Sequence, residues 1–431
     1  MMREQWTLTC IVCLGCLLAL GCCELIVRTR HPQKWTPHER AWMDLYSDSR
    51  IFDRASPGLR RLSRHLIDLG NSPREFPEAS PRDTLRVLCV GGSSTAGWPF
   101  HPKGGYPEWL RLLLGDALGR PVEVINAGIF AYGVHEDTRI VRELKKLRWD
   151  LIIAYEGTNL MATADQCRPL QLRWQLRTDL FFAQRSQMYL WFKNMLRKRH
   201  YEVKHRLWKL ELSDPLRSCL ARHLNAGLSE LAEAAKGPNR HLLIIAPIRN
   251  GPLWQGGRIL ESLSQAVRQE GLLMVDAEEA AGKFLISRAP RHVGDNVHPT
   301  LQAHWAIAME TVHALADSNW PQKNALKLQK IKNYKSYAAR LGITKDFLAS
   351  AHACLGYKFI RTGLHAFAWK EFENAEELKP GIVASLLGPL EGLEVLEWAD
   401  KFYRSRNAAH QAYRRHIADI VHQRRAIGIG L

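Results

Sequence analysis

The sequence predicts an α/β protein built on a parallel sheet with helices on both faces. Short aliphatic and β-branched runs recur at Leu85–Val90, Val122–Asn126, Leu151–Tyr155, Leu242–Ala246 and Leu272–Asp276. Runs of this length, bounded by turn residues, read as strands buried on both sides. Between them lie stretches with apolar residues at helical spacing: Tyr106–Leu118, Glu136–Leu147, Ser229–Ala235 and Ile259–Gln269. Strand alternating with helix is the pattern of crossovers between parallel strands. The first run also ends abruptly in Gly91-Gly92-Ser93-Ser94-Thr95-Ala96-Gly97. The glycines permit a sharp turn at the carboxyl end of a strand, where open α/β sheets hold their ligand sites.

A chain of 431 residues is long enough for about two to three domains. A hydrophobic fraction of 46% supports a sizeable core. The formal net charge of +17 suits an anionic partner such as a membrane, a polysaccharide or nucleic acid. There is no zinc-finger spacing or RNA-binding signature, so nucleic acid is not expected.

Residues 1–30 stand apart. Leu8 to Leu20 carries almost no polarity, and the apolar character runs on to Val27 with Glu24 as the only charge. About 20 such residues cross a bilayer, so the segment is expected to be a single-pass membrane anchor. A cleaved signal peptide, or lipid attachment at Cys22, is the alternative. Arg28, Arg30 and Lys34 would hold their side of the membrane in the cytoplasm, which leaves the orientation open. The expected location is the cell envelope, with the α/β domain extracytoplasmic. Of nine cysteines, Cys10, Cys13, Cys16, Cys22 and Cys23 lie in this segment. Cys89, Cys167, Cys219 and Cys354 are scattered, with no metal spacing and no dense disulfide framework. Cys89, inside the first strand, is expected to be a buried, inert thiol.

Residues 31–83 are rich in Arg, Pro, Ser and Asp and read as a juxtamembrane linker, with an amphipathic stretch at Leu59–Leu69. The α/β core is expected over 84–316. It carries an insertion at 165–210, in which Trp174, Phe181, Tyr189, Trp191 and Trp208 alternate with Arg173, Arg177, Arg185 and Arg197. Such a segment suits an anionic membrane surface or stacking on sugars, and equally a helical pair packed on the core. Over 320–431 the pattern is helical. Leu355, Gly356, Phe359, Ala368, Phe372, Ala375 and Pro380 resemble one tetratricopeptide helix pair, with His352 where that pattern often has Trp. One repeat is recognisable where a solenoid needs about three. Tyr334–Leu341 and Glu394–Tyr403 read as caps or degenerate repeats, and the region as a surface for a protein partner or a helical tail on the core.

Four short motifs follow in chain order. They are Gly91-Gly92-Ser93-Ser94-Thr95, then Asn126-Ala127-Gly128 leading to Ala131-Tyr132-Gly133, then Gly157-Thr158-Asn159, and finally Asp295-Asn296-Val297-His298-Pro299. Acyl transfer needs these residue types. A serine hydroxyl is a poor nucleophile until a base takes its proton, and a neutral imidazole can do so near pH 7. A carboxylate holds the imidazole in one tautomer. The developing oxyanion needs fixed N–H donors. Ser93, His298 and Asp295 fit the first three roles. The Ser93 N–H, a backbone N–H at Ala131 and the Asn159 side chain fit the last.

On these residues, from about 84 to 315, the chain resembles the SGNH hydrolases, also called GDSL-like esterases or lipases. The family's Gly-Asp-Ser-x-Thr block appears here with Gly92 in place of aspartate. Its Gly-x-Asn-Asp block has Leu160 after Asn159. The oxyanion glycine corresponds by spacing to Ala131, with Gly133 the nearby alternative. Asp-x-x-His is intact as Asp295 and His298. The resemblance implies a flavodoxin-like three-layer α/β/α fold and ester hydrolysis through an acyl-enzyme. It implies catalytic residues Ser93, Asp295 and His298, and no metal or organic cofactor. The substrate would be a carboxylic ester, with an O-acetylated glycan or a lipid in view. Two other readings are an acyltransferase using the same site on a glycan, and a membrane-anchored scaffold whose hydrolase domain is inert.

Overall fold

The structure is a computed structural model and describes residues 21–26, 28–29, 50–68, 72–160, 167, 182, 186, 188–189, 214–249, 258–285, 290–293, 297–361 and 365–387. The chain divides into two compact units, residues 1–49 with 164–219, and residues 50–163 with 220–431.

In the first unit, residues 21–26 and 28–29 are helical. Glu24 accepts hydrogen bonds from Ser186 Oγ (2.7 Å) and the Met188 N–H (2.9 Å). Cys167 is disulfide-bonded to Cys219, with Cα atoms 5.5 Å apart. No spacing in the chain points to this pair, because disulfide geometry depends on spatial approach and the two lie 52 residues apart. Most of the expected anchor, and most of the aromatic and basic residues of the insertion, lie outside the described residues. Among the described residues no helix is long and apolar enough to cross a membrane.

The second unit opens with a small antiparallel sheet, β1 (Phe52–Ser56), β2 (Leu59–Leu62) and β3 (Glu75–Pro77), with α1 (Arg64–Asp68) between its last two strands. These residues were expected to be linker. Their strands are only three to five residues long and alternate buried with exposed positions, a weak signal in sequence. Glu143 anchors this layer by accepting the Ile51 N–H (3.0 Å) and the Phe52 N–H (2.9 Å).

The main elements follow in order: β4 (Leu85–Gly91), α2 (Ser93–Ala96), α3 (Tyr106–Leu118), β5 (Val122–Asn126), α4 (Val134–Glu143), β6 (Leu151–Tyr155), α5 (Asp214–Ala235), β7 (His241–Ala246), α6 (Arg258–Gln269), β8 (Leu273–Asp276), α7 (Ala277–Phe284) and α8 (Leu301–Asp317). The five strands are parallel, in the order β5-β4-β6-β7-β8, which is the flavodoxin-like order. All seven residues of β4 are buried. Val87 and Cys89 join residues of α3, α7 and α8 in one apolar cluster. Side chains alternate along a strand, so Leu88 and Val90, also fully buried, face the other side, which α4, α5 and α6 cover. This bears out the α/β class. Cys89 is buried as expected, and burial pushes its thiol well up.

Arg86 joins the small sheet to β4. It is completely buried, donates Nη1 to the Glu78 carbonyl (2.8 Å) and Nη2 to the Pro77 carbonyl, and holds its Nε 2.8 Å from Glu123. Its guanidinium lies over the Trp149 ring at 4.6 Å. Two carbonyl oxygens, a carboxylate and an aromatic face thus surround the buried cation.

The C-terminal part continues with α9 (Tyr334–Arg340), α10 (Lys345–Arg361), α11 (His365–Leu378) and α12 (Ile382–Leu387). Tyr334 stacks on Trp109 at 5.2 Å, and Asp116 accepts from Tyr337 Oη (3.1 Å) and Arg340 (2.6 Å). Leu355, Phe359, Ala368, Phe372 and Ala375 are buried, and His352 Nδ1 lies 2.6 Å from Glu371 across the α10–α11 pair. Glu394–Tyr403 lies outside the described residues. A Cβ on Gly356 would come within 2.5 Å of the Phe372 ring. Gly356→Leu is therefore expected to lower stability by about 1–3 kcal/mol, read as a lower urea midpoint at unchanged m.

Candidate active site

Parallel register sets the three turns of the site side by side. Gly91 is level with Tyr155 on one flank of β4, and Cys89 is level with Asn126 on the other. The β4, β5 and β6 turns therefore emerge together at the carboxyl edge, where the strand order reverses.

Ser93 opens the short helix α2, which ends in Gly97. The Ser93 carbonyl accepts the Gly97 and Trp98 N–H groups, both at 3.0 Å, and Thr95 Oγ1 donates to the Val90 carbonyl at 3.2 Å. The turn is thus tied both forward and back to its own strand. Ser93 is half-buried, so its hydroxyl stands at the rim of the sheet. A Cβ on Gly92 would sit 2.3 Å from Asn159 Nδ2 and 3.0 Å from the Tyr132 carbonyl. Any side chain there, aspartate included, would displace Asn159. The departure from Gly-Asp-Ser is thus matched to the close approach of the neighbouring loop.

After β5, Asn126 Oδ1 accepts the Gly128 N–H at 3.0 Å, and Arg74 donates to the Gly128 carbonyl. Burial lowers the Arg74 guanidinium to about 10. Ala131 adopts φ +66°, the left-handed region that favours glycine. The Tyr132 N–H closes the turn on the Ile129 carbonyl at 3.2 Å. After β6, the Asn159 side-chain amide donates to the Tyr132 carbonyl at 2.6 Å, which fixes its orientation beside Gly92.

His298 comes from a tight return of the chain. The Val293 N–H bonds the His298 carbonyl, and the Thr300 N–H bonds the Arg291 carbonyl, each at 2.9 Å. Thr300 then caps α8 by accepting the Ala303 N–H at 3.2 Å. His298 is 6% exposed, and its Nε2 lies 2.6 Å from Ser93 Oγ. One turn on, His304 is fully buried and accepts the Tyr106 N–H at 3.2 Å; burial lowers it to about 3, so it stays neutral. Asp295 lies outside the described residues. The structure brings Ser93, His298, Ala131 and Asn159 to one edge of the sheet.

Sequence reasoning missed two groups here. Trp98, whose N–H bonds the Ser93 carbonyl, packs with His101 and Phe130 at ring-centroid distances of 5.6–5.9 Å, and Lys358 of α10 lies 5.5 Å above Trp98. Asp137 and Glu156 are buried beneath the turns. A charged residue directly after an apolar strand was the one available signal for Glu156. Among the described residues no cluster of three or more His, Cys, Asp or Glu could hold a metal ion.

No protein-family model matches the chain, and no curated protein matches it. Solved structures do resemble it. A gut microbial diltiazem-metabolizing enzyme is 12% identical at a TM-score of 0.35, over 55% of this chain and 48% of that one. The chain thus spans about half the length of that enzyme. A member of the lipolytic G-D-S-L family from Veillonella parvula is 13% identical at 0.34, over 54% and 100%. An acetylxylan esterase from Geobacillus stearothermophilus is 16% identical at 0.34, over 55% and 95%.

Because the left-handed region costs a non-glycine residue about 1 kcal/mol, Ala131→Gly is expected to raise the unfolding free energy by up to that amount. Ala131→Val should lower it by about 1–2 kcal/mol. Denaturant midpoints of the two variants check this.

Proposed function

We propose that the chain is a serine esterase of the SGNH type. The observation that carries this reading is the 2.6 Å approach of His298 Nε2 to Ser93 Oγ at the carboxyl edge of a doubly wound sheet. In the proposed cycle the imidazole removes the Ser93 proton as the oxygen attacks an ester carbonyl. The same imidazole then hands that proton to the departing alcohol. Water repeats the sequence to release the acid and restore the serine. Asp295 orients the imidazole and stabilises its charged form. The Ser93 and Ala131 N–H groups and the Asn159 amide hold the oxyanion. The left-handed turn at Ala131 supports this assignment, because it turns a peptide unit away from the strand direction.

The proposed substrate class is an O-acyl ester, such as an O-acetyl group, on a glycan. The half-exposed rings of Trp98, His101 and Phe130 support it, since flat aromatic faces suit sugar rings and a small acyl group needs little depth. The proposed location is the extracytoplasmic side of the cell envelope, anchored through residues 1–30. The Cys167–Cys219 disulfide favours an oxidising compartment. The helix pair over 345–378, with its tetratricopeptide-like pattern, is the proposed surface for a protein partner.

Ser93→Ala is expected to cut turnover of p-nitrophenyl acetate by at least about a thousandfold, and to abolish labelling by a fluorophosphonate probe, at unchanged Tm. Undiminished turnover would exclude the assignment. Asn159→Ala should lower kcat by about 10²–10³-fold if its amide stabilises the oxyanion.

A further inference from the structure

Two carboxyl side chains lie where no described residue offers a counter-charge. Asp137, in the first turn of α4, is 0% exposed, and Glu156, directly after β6, is 1% exposed. Tyr155 faces the apolar cluster on one side of the sheet, so Glu156 points to the other, where α4 packs. The two carboxyl groups lie close enough there to act on one another. Neither oxygen of Asp137 nor Oε1 of Glu156 meets a donor in hydrogen-bonding geometry, and the Gly91 N–H is the backbone amide that acts on Asp137. Among the described residues no lysine, arginine or histidine forms an ion pair with either.

The surrounding titratable groups do not relieve the pair. Glu136, on the same helix, adds a further negative charge while its own carboxylate accepts the Gly133 N–H at 3.1 Å. His135 and Arg139 act on Glu136. From α3, on the other face of the sheet, Tyr106 acts on Asp137 at a distance, and burial holds its phenol neutral. Two carboxylates in contact, desolvated and without a cation, cannot both be ionised. Burial pushes Asp137 up to about 7, with Glu156 drawing it back and the Glu136 charge adding to the rise, while burial and the Asp137 charge push Glu156 well above the carboxylate range. A bond with one proton between two such oxygens is strong.

The pair also sits at a junction. Asp137 lies in the first turn of α4, four residues after Gly133, and its N–H bonds the Gly133 carbonyl at 2.9 Å. Glu156 is three residues before Asn159, and Gly91 is two before Ser93. We infer that Asp137 and Glu156 share one proton and act as a positioning pair, tying together the turns that carry Ser93, Ala131 and Asn159 and loosening them when that proton is lost. The catalytic consequence rests on the esterase reading; the shared proton does not.

Both groups hold their proton more tightly in the folded chain than in the unfolded one. The folded state is therefore favoured below the ordinary carboxylate range of about 4, and loses stability as pH rises from there through the titration of Asp137 near 7 and on through that of Glu156, where the shared proton leaves. In the full chain, Tm should fall over that window, and an infrared spectrum near pH 6 should carry a protonated-carboxyl band that vanishes on alkaline titration. Glu156→Gln, whose amide can donate to Asp137, should abolish the band and flatten the Tm profile, and Asp137→Asn should do the same. Glu156→Leu keeps volume but not the bond, and should lower kcat about ten- to a hundredfold at unchanged KM. Glu156→Gln should restore most of that loss and remove the alkaline fall in kcat. Absence of the band in the wild type, or a Tm profile unchanged in both amide variants, overturns the shared proton. A band present with kcat unmoved by Glu156→Leu overturns the positioning role. Failure of the wild type to hydrolyse esters or react with a fluorophosphonate defeats the esterase reading, while the band and the Tm profile still decide the proton.

Discussion

The site depends on how the central strand ends. β4 is buried on both faces and paired on both edges, so the chain can leave the sheet only at its carboxyl terminus. Its register with β5 and β6 brings their turns out beside it. Packing between these turns is tight enough that a residue in one dictates a residue in another. Gly92 lies directly against the Asn159 side chain, which is held there by the Tyr132 carbonyl of the third turn. The departure of this chain from Gly-Asp-Ser is thus a local solution to close approach, and it leaves the 2.6 Å Ser93–His298 contact intact.

Charge is handled in opposite ways at the two ends of the same strand. Near its start, Arg86 is buried, but carbonyl oxygens, Glu123 and the Trp149 ring surround it. That enclosed cation fastens the small antiparallel sheet to the core. At its end, the Gly91 N–H faces a buried acid pair with no cation among the described residues. The first arrangement is insensitive to pH in the neutral range, since a guanidinium stays charged. The second answers to protons. A fold that needs rigidity at its base and exact spacing at its rim places its titratable interior groups beneath the rim.

Legibility followed the length and period of each signal. The five parallel strands and the helix Tyr106–Leu118 were readable because buried strands are continuously apolar and long helices repeat every 3.6 residues. Val122–Asn126 and Leu151–Tyr155 have the expected bounds. The helix expected at Glu136–Leu147 instead spans Val134–Glu143, since its apolar spacing continues into a turn that bonds back on itself. The sheet over Phe52–Pro77 was hidden in a stretch rich in Arg and Ser, where strands this short carry few periods. The Ser93–His298 contact was anticipated, because nucleophile and base types stood at the ends of strands. The acid pair was not, because no spacing in the chain reveals that Asp137 and Glu156 face one another.

The sequence by itself determined the α/β class, the strands and the residues able to do acyl chemistry, since these rest on local hydrophobic period and on side-chain type. Tertiary structure alone decided which groups meet. It set the strand order and the register, the left-handed backbone of Ala131 and the pairing of Cys167 with Cys219. It also decided the environment of each carboxyl group. The physical reason is that desolvation and contact between residues distant in the chain depend on packing, and packing is a property of the whole fold.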